Sequence, residues 1–127
     1  MTALFRRIQP AKTFRITVDT IAQFLGIPAS LIVRVQCWRY VLFVHRLDRG
    51  GQFVSYRKLQ EWKEAIALII ESCITFKELW QLWLQVKQDC QKFQKQYKRA
   101  VIAFLRQLWL KRRDALKSLP QVECAAE

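Results

Sequence analysis

The chain has 127 residues, 52% of them hydrophobic, which suits one compact domain or a small domain followed by a long helix used for assembly. Twenty-two lysines and arginines against ten acidic residues give a formal net charge of +12, which favours a polyanionic partner. A single histidine, no glycine-rich phosphate loop and no clustered carboxylates exclude the usual constellations of an enzyme, and no run approaches the roughly eighteen apolar residues of a membrane span.

The basic excess is uneven: residues 1–60 hold ten basic and two acidic side chains, residues 61–127 twelve and eight. Cys37, Cys73, Cys90 and Cys124 match no CxxC pair or zinc spacing, so reduced thiols and no bound metal or cofactor are expected. The expected location is the cytoplasm, and no small-molecule substrate is expected.

Residues 1–15, with Arg6, Arg7 and Lys12 around Pro10 and no sustained period, are expected to form a loose basic arm. Residues 16–74 follow the order of a winged helix-turn-helix. A first helix begins near Val18 with Thr17 as its cap and stops at Gly26, where only glycine takes a positive φ cheaply. Pro28 fits the first turn of a second helix over residues 29–39. Residues 40–47 are rich in β-branched and aromatic side chains, Asp48-Arg49-Gly50-Gly51 supplies a turn, and Gln52-Phe53-Val54 returns as the second strand of a wing.

From Ser55 the pattern is helical. Leu59, Trp62, Ile66 and Ile69 or Ile70 repeat at three and four residues, and this helix ends near Ser72. Thr75-Phe76-Lys77-Glu78 is a capping box that opens the next one. There Phe76, Leu79, Trp83, Val86, Cys90, Phe93, Tyr97, Ala100 and Phe104 alternate in steps of three and four, a seam that wants a partner helix. Residues 75–119 are therefore expected to be a long dimerisation segment, about 65 Å if continuous at ~1.5 Å per residue, with a kink between Gln85 and Gln96 as the open alternative. Residues 120–127 are a tail. The expected fold class is mainly α with a small β-hairpin wing, and the expected state is a homodimer, with a monomeric helical hairpin as the alternative.

From Ile16 to about Leu79 the chain resembles the DNA-binding domain of MerR-type regulators. Ile21-Ala22 and Leu25-Gly26-Ile27 match that family's first helix and turn. Gly51-x-Phe53-x-x-Tyr56-x-x-Leu59 is similar to its wing exit, and Ile74-Thr75-Phe76-Lys77-Glu78-Leu79 to its fourth-helix start. The family's Arg-Tyr-Tyr-Glu stands here as Val33-Arg34-Val35-Gln36. The resemblance implies a dimeric DNA-binding regulator without its own ligand-binding module, of the kind encoded beside mobile elements, including CRISPR-associated transposons.

On the expected second helix Ser30, Arg34 and Gln36 are candidate base readers, since Arg pairs bidentately with guanine and Gln with adenine. Arg39 and Tyr40 would touch backbone. Arg46 and Arg49 flank the wing turn, and Tyr56, Arg57 and Lys58 sit where a helix start meets phosphate. Together they predict a sequence-specific double-stranded DNA-binding regulator, a repressor acting as a homodimer on an inverted repeat. Two rivals remain: an excisionase-like architectural factor, and an interaction protein whose basic amphipathic helix over residues 95–113 lies on an acidic membrane or a partner helix. Trp38, Trp62, Trp80, Trp83 and Trp109 offer surface for base stacking, but Trp62, Trp80 and Trp83 fall on helical stripes and are expected in the core.

Overall fold

A computed structural model describes residues 1–118; the expected tail, with Cys124, lies outside the described residues. The protein is mainly helical with one small three-stranded antiparallel sheet.

The amino-terminal segment is not a loose arm. Thr2 caps α1 (Ala3–Ile8), its side chain accepting the Phe5 N–H, and Gln9 turns the chain at φ 49° into the one-turn α2 (Pro10–Thr13). Leu4, Phe5 and Ile8 are buried, and each such side chain contributes about 1.5–3 kcal/mol. That sum explains why six residues, too few for a helix on their own, are ordered here. The basic side chains Arg6, Arg7 and Lys12 point outward from this core-forming segment.

The first expected helix is found where the sequence puts it. α3 (Val18–Leu25) is capped by Thr17, which accepts the Thr20 N–H at 3.2 Å, and ends at Gly26 with φ 68°. The second expected helix is absent. After one 3₁₀ turn, Ala29–Leu31, the chain becomes β1 (Ile32–Cys37), paired antiparallel with β2 (Leu42–Arg46), which pairs in turn with β3 (Gly50–Val54). Three β-branched residues in four, Ile32, Val33 and Val35, favour the pleated form, and pairing with β2 satisfies their backbone. The expected two-stranded wing is thus a three-stranded meander.

Ser55 opens a 3₁₀ turn, Tyr56–Lys58, and α4 (Gln60–Ser72) follows with Trp62, Ile66 and Ile70 wholly buried along one stripe. α5 (Phe76–Lys92) begins as expected: Thr75 accepts the Glu78 N–H at 3.1 Å, while the Glu78 carboxylate accepts the Ile74 N–H, also at 3.1 Å.

Residues 75–119 do not form one long helix. α5 stops at Lys92, a 3₁₀ turn follows at Gln94–Gln96, and α6 (Arg99–Ser118) returns. Two contacts fix the return as antiparallel. Tyr97 donates its hydroxyl to Asp89 near the turn, and Trp109 Nε1 donates to the Leu79 carbonyl at 3.3 Å near the far end. A three-four seam serves an intramolecular hairpin as well as it serves two chains. Leu79, Val86 and Tyr97 are buried within one chain, and Trp83, Cys90 and Phe93 pack against the same core. Phe76, Ala100 and Phe104 remain exposed. α6 also packs on α4, so the core is continuous from the sheet's inner face through the helices. No helix of the described residues is long and apolar enough to cross a membrane.

Candidate nucleic-acid interface

One irregularity decides what the sheet presents. Ile32 pairs with Arg46, but two residues later Arg34 pairs with the very next residue of β2, His45, so Val33 is bulged out of register. In regular strand geometry Ile32 and Arg34 would share a face. The bulge reverses that alternation: Ile32 stays in the core, and Arg34 and Gln36 join the outer face with His45 and Phe43.

The outer face has a polar end and an aromatic end. Arg34, His45 and Gly51 lie in register across the three strands, and Arg49 is exposed in the turn just beyond. Gly50, at φ 73°, takes the left-handed position that closes this three-residue turn. Gln36 and Trp38 lead to the other end, where Trp38 Nε1 donates to Gln36 Oε1 at 3.3 Å. The rings of Trp38 and Phe43 are stacked with centroids 5.0 Å apart and 9° between planes. Phe53 stands edge-on to both, at 5.5 and 5.6 Å. The Phe43 ring lies over Gly51 so closely that a Cβ there would sit 2.7 Å from it. Trp38 is 45% exposed and Phe53 61%, so this cluster faces solvent rather than the core.

The structure divides the expected DNA-contacting residues into two groups. Ser30, Arg34, Arg39, Arg49 and Lys58 are exposed, and Gln36 is half-buried on the same outer face as Arg34. Three others are internal. Arg46 is buried, gripping Asp48 bidentately at 2.8 and 2.9 Å and donating to Gln52 at 3.0 Å, so it stabilises the turn instead of reaching outward. Hydrogen bonding to Arg46 holds the Asp48 carboxyl below its ordinary pKa. Tyr56 is fully buried and donates to the Trp38 carbonyl at 2.6 Å, and burial pushes its pKa upward.

Arg57 is the clearest correction. Its guanidinium donates to Asp89 at 2.7 and 2.8 Å, and its side chain is only 8% exposed. The rings of Phe93, Phe5 and Trp62 enclose it at 3.7, 4.9 and 5.3 Å. Asp89 has no exposure and also accepts from Thr2 and Tyr97. Burial opposes its charge, but the hydrogen bonds from Arg57, Thr2 and Tyr97 together outweigh that cost, and its pKa lies below the ordinary value. This cluster ties α1, the Tyr56–Lys58 turn and the α5–α6 hairpin together, and the Arg57 guanidinium is engaged by Asp89.

No family model, curated protein or solved structure matches this chain. The MerR-type resemblance therefore stands on the motifs alone. α3, its glycine turn and the hairpin lie where the sequence motifs put them, and β1 stands where a second helix was expected.

Trp38, Phe43 and Phe53 were not singled out by sequence as site residues, although a signal exists. Arg34-x-Gln36-x-Trp38 and Phe43-x-His45 have period two, the mark of a strand face. Reading residues 29–39 as a helix hides that period. Chemically the face combines base-edge donors and acceptors at one end with open π-surface at the other.

Proposed function

We propose that this protein is a DNA-binding regulator that reads duplex DNA with the polar half of its sheet rather than with a helix. One observation carries the reading: the Val33 bulge turns Arg34 and Gln36 outward on one strand, next to the exposed Arg49 turn, on a chain of net charge +12. Strand readers of the major groove are an established solution, because a groove about 12 Å wide admits a β-ribbon as well as a helix. Arg34 supplies the bidentate guanine contact, Gln36 the adenine contact, and Arg49 and Lys58 grip phosphate. Repression follows by occupancy of a promoter.

Most of the seam is used inside one chain, which leaves little of it to hold a homodimer on an inverted repeat. A single half-site is the expected unit. The membrane-surface rival is less well supported: Leu105 and Trp109 of α6 are buried against the protein's own helices, leaving Ile102 and Phe104 as its exposed large apolar side chains.

Selection of bound duplexes from a random pool at about 150 mM salt, where loose phosphate binding is largely screened, tests the proposal. Enrichment of one short non-palindromic site is the expected result. Arg34→Ala should relax discrimination at one base pair at a cost of about 1–3 kcal/mol, and Arg49→Ala should weaken all sequences alike. Recovery of no motif, with binding confined to low salt, would remove the sequence-specific reading.

A further inference from the structure

The aromatic half of the outer face is not explained by duplex reading. In an unkinked duplex the faces of the bases are covered by their neighbours, so an aromatic cluster in the major groove meets thymine methyls rather than base faces. An unpaired base has both faces free, and stacking on protein aromatics tolerates any sequence.

Resting on the duplex reading above, we infer that Trp38, Phe43 and Phe53 form a seat for an unpaired base, so that the preferred ligand is a duplex continued by a single strand. Trp38 and Phe43 are already parallel, and Phe53 braces both from the side, so the platform is ordered before any ligand arrives. Little side-chain freedom is left to lose on stacking. The Trp38 indole N–H is satisfied internally by Gln36, which leaves the ring face as its binding surface.

A basic groove that could take the strand's phosphates begins at the next residue of the chain. Arg39, the residue after Trp38, lines a groove of about 690 Å³ together with Arg6 and Lys12, over an apolar floor that includes Phe5 and Ala11. Three cations one step beyond an aromatic platform are the composition of a single-strand track. α1 and α2, ordered by the core, supply two of the three.

Fluorescence anisotropy with the full chain separates this inference from the reading it rests on. The probes are a labelled blunt duplex carrying the selected site, the same duplex with a short single-stranded overhang at either end, and versions with the overhang in DNA or RNA. The expected result is binding tighter by about tenfold or more with an overhang at one end, for either sugar or for one, which then identifies the strand. Trp38→Ala, which also frees Gln36, should abolish that gain when it is read as the ratio of overhang to blunt-duplex affinity, with Trp38→Phe retaining most of it. Phe53→Ala gives a second, independent loss. Equal affinity for blunt and overhanging duplexes would overturn the inference while the duplex reading stands. A Trp38→Ala variant weakened equally on all probes would overturn it as well. Absence of binding to any probe would remove both.

Discussion

Arg34 and Arg57 carry the same side chain and differ in their surroundings alone. Arg34 stands exposed on a strand, with nothing asking it to stay there except the bulge beside it. Arg57 is boxed by three aromatic rings and held by a carboxylate with no exposure. Arg57→Ala would leave Asp89 buried without its charge partner, so a loss of about 3–5 kcal/mol in urea unfolding is expected. Arg34→Ala should change stability by less than about 0.5 kcal/mol in the same titration. Equal effects of the two substitutions would contradict their placement. The lowered pKa of Asp89 adds a pH dependence. A carboxyl whose folded pKa is depressed contributes stability fully above its unfolded value, near 3.9, and loses that contribution as pH falls through the folded value. Thermal melts should therefore be flat near neutrality and fall below about pH 4, with Asp89→Asn less stable at pH 7 and showing a shallower acid limb.

At the scale of elements, the strand β1 is where local signals misled. Pro28 and the preceding glycine turn are genuine helix-start signals, and they do produce one turn of 3₁₀ helix. What they cannot register is the neighbouring hairpin, whose β2 edge offers a row of backbone partners to any β-branched segment nearby. The bulge at Val33 then sets which side chains face outward. Deleting Val33 makes Ile32 and Arg34 consecutive opposite Arg46 and His45, so the ladder closes without a bulge and each side chain keeps its face; DNA binding should be retained, with a change of less than about 2 kcal/mol in thermal or chemical denaturation. Val33→Thr, at the same exposed position, should leave stability within about 0.5 kcal/mol. A deletion variant that folds but loses DNA binding would mean that Arg34 does not keep its outward face without the bulge. The threonine caps and the glycine stop, by contrast, are legible from sequence because every partner lies within four residues.

For the whole molecule, the question is whether a heptad seam joins two chains or one. The alternation of three and four residues states only that a helix has one apolar stripe. It is silent on whether the partner is another protomer or the returning arm of the same chain. The turn at residues 93–98 decides, closed by the Tyr97 contact to Asp89 and by Ser55 donating to Gln96. The consequence is measurable. Leu79→Ala and Val86→Ala should each lower Tm through cavity formation, Leu79→Ala by about 2–5 kcal/mol of stability, and the midpoint should not vary with protein concentration. A Tm that rises with concentration would restore the seam to an interface between copies.

Caps, the glycine stop, the hairpin turn and the apolar stripes of α4 and α5 were determined by the sequence itself, because each depends on residues within a few positions of one another. The identity of β1, the order in the amino-terminal segment and the fate of Arg46, Tyr56 and Arg57 were decided only by tertiary structure. In each case the deciding partner is distant along the chain: β2 for β1, α5 for α1, and Asp89 for Arg57. A short amphipathic segment or a lone arginine has no intrinsic preference strong enough to choose its environment, and burial against a remote surface makes that choice for it.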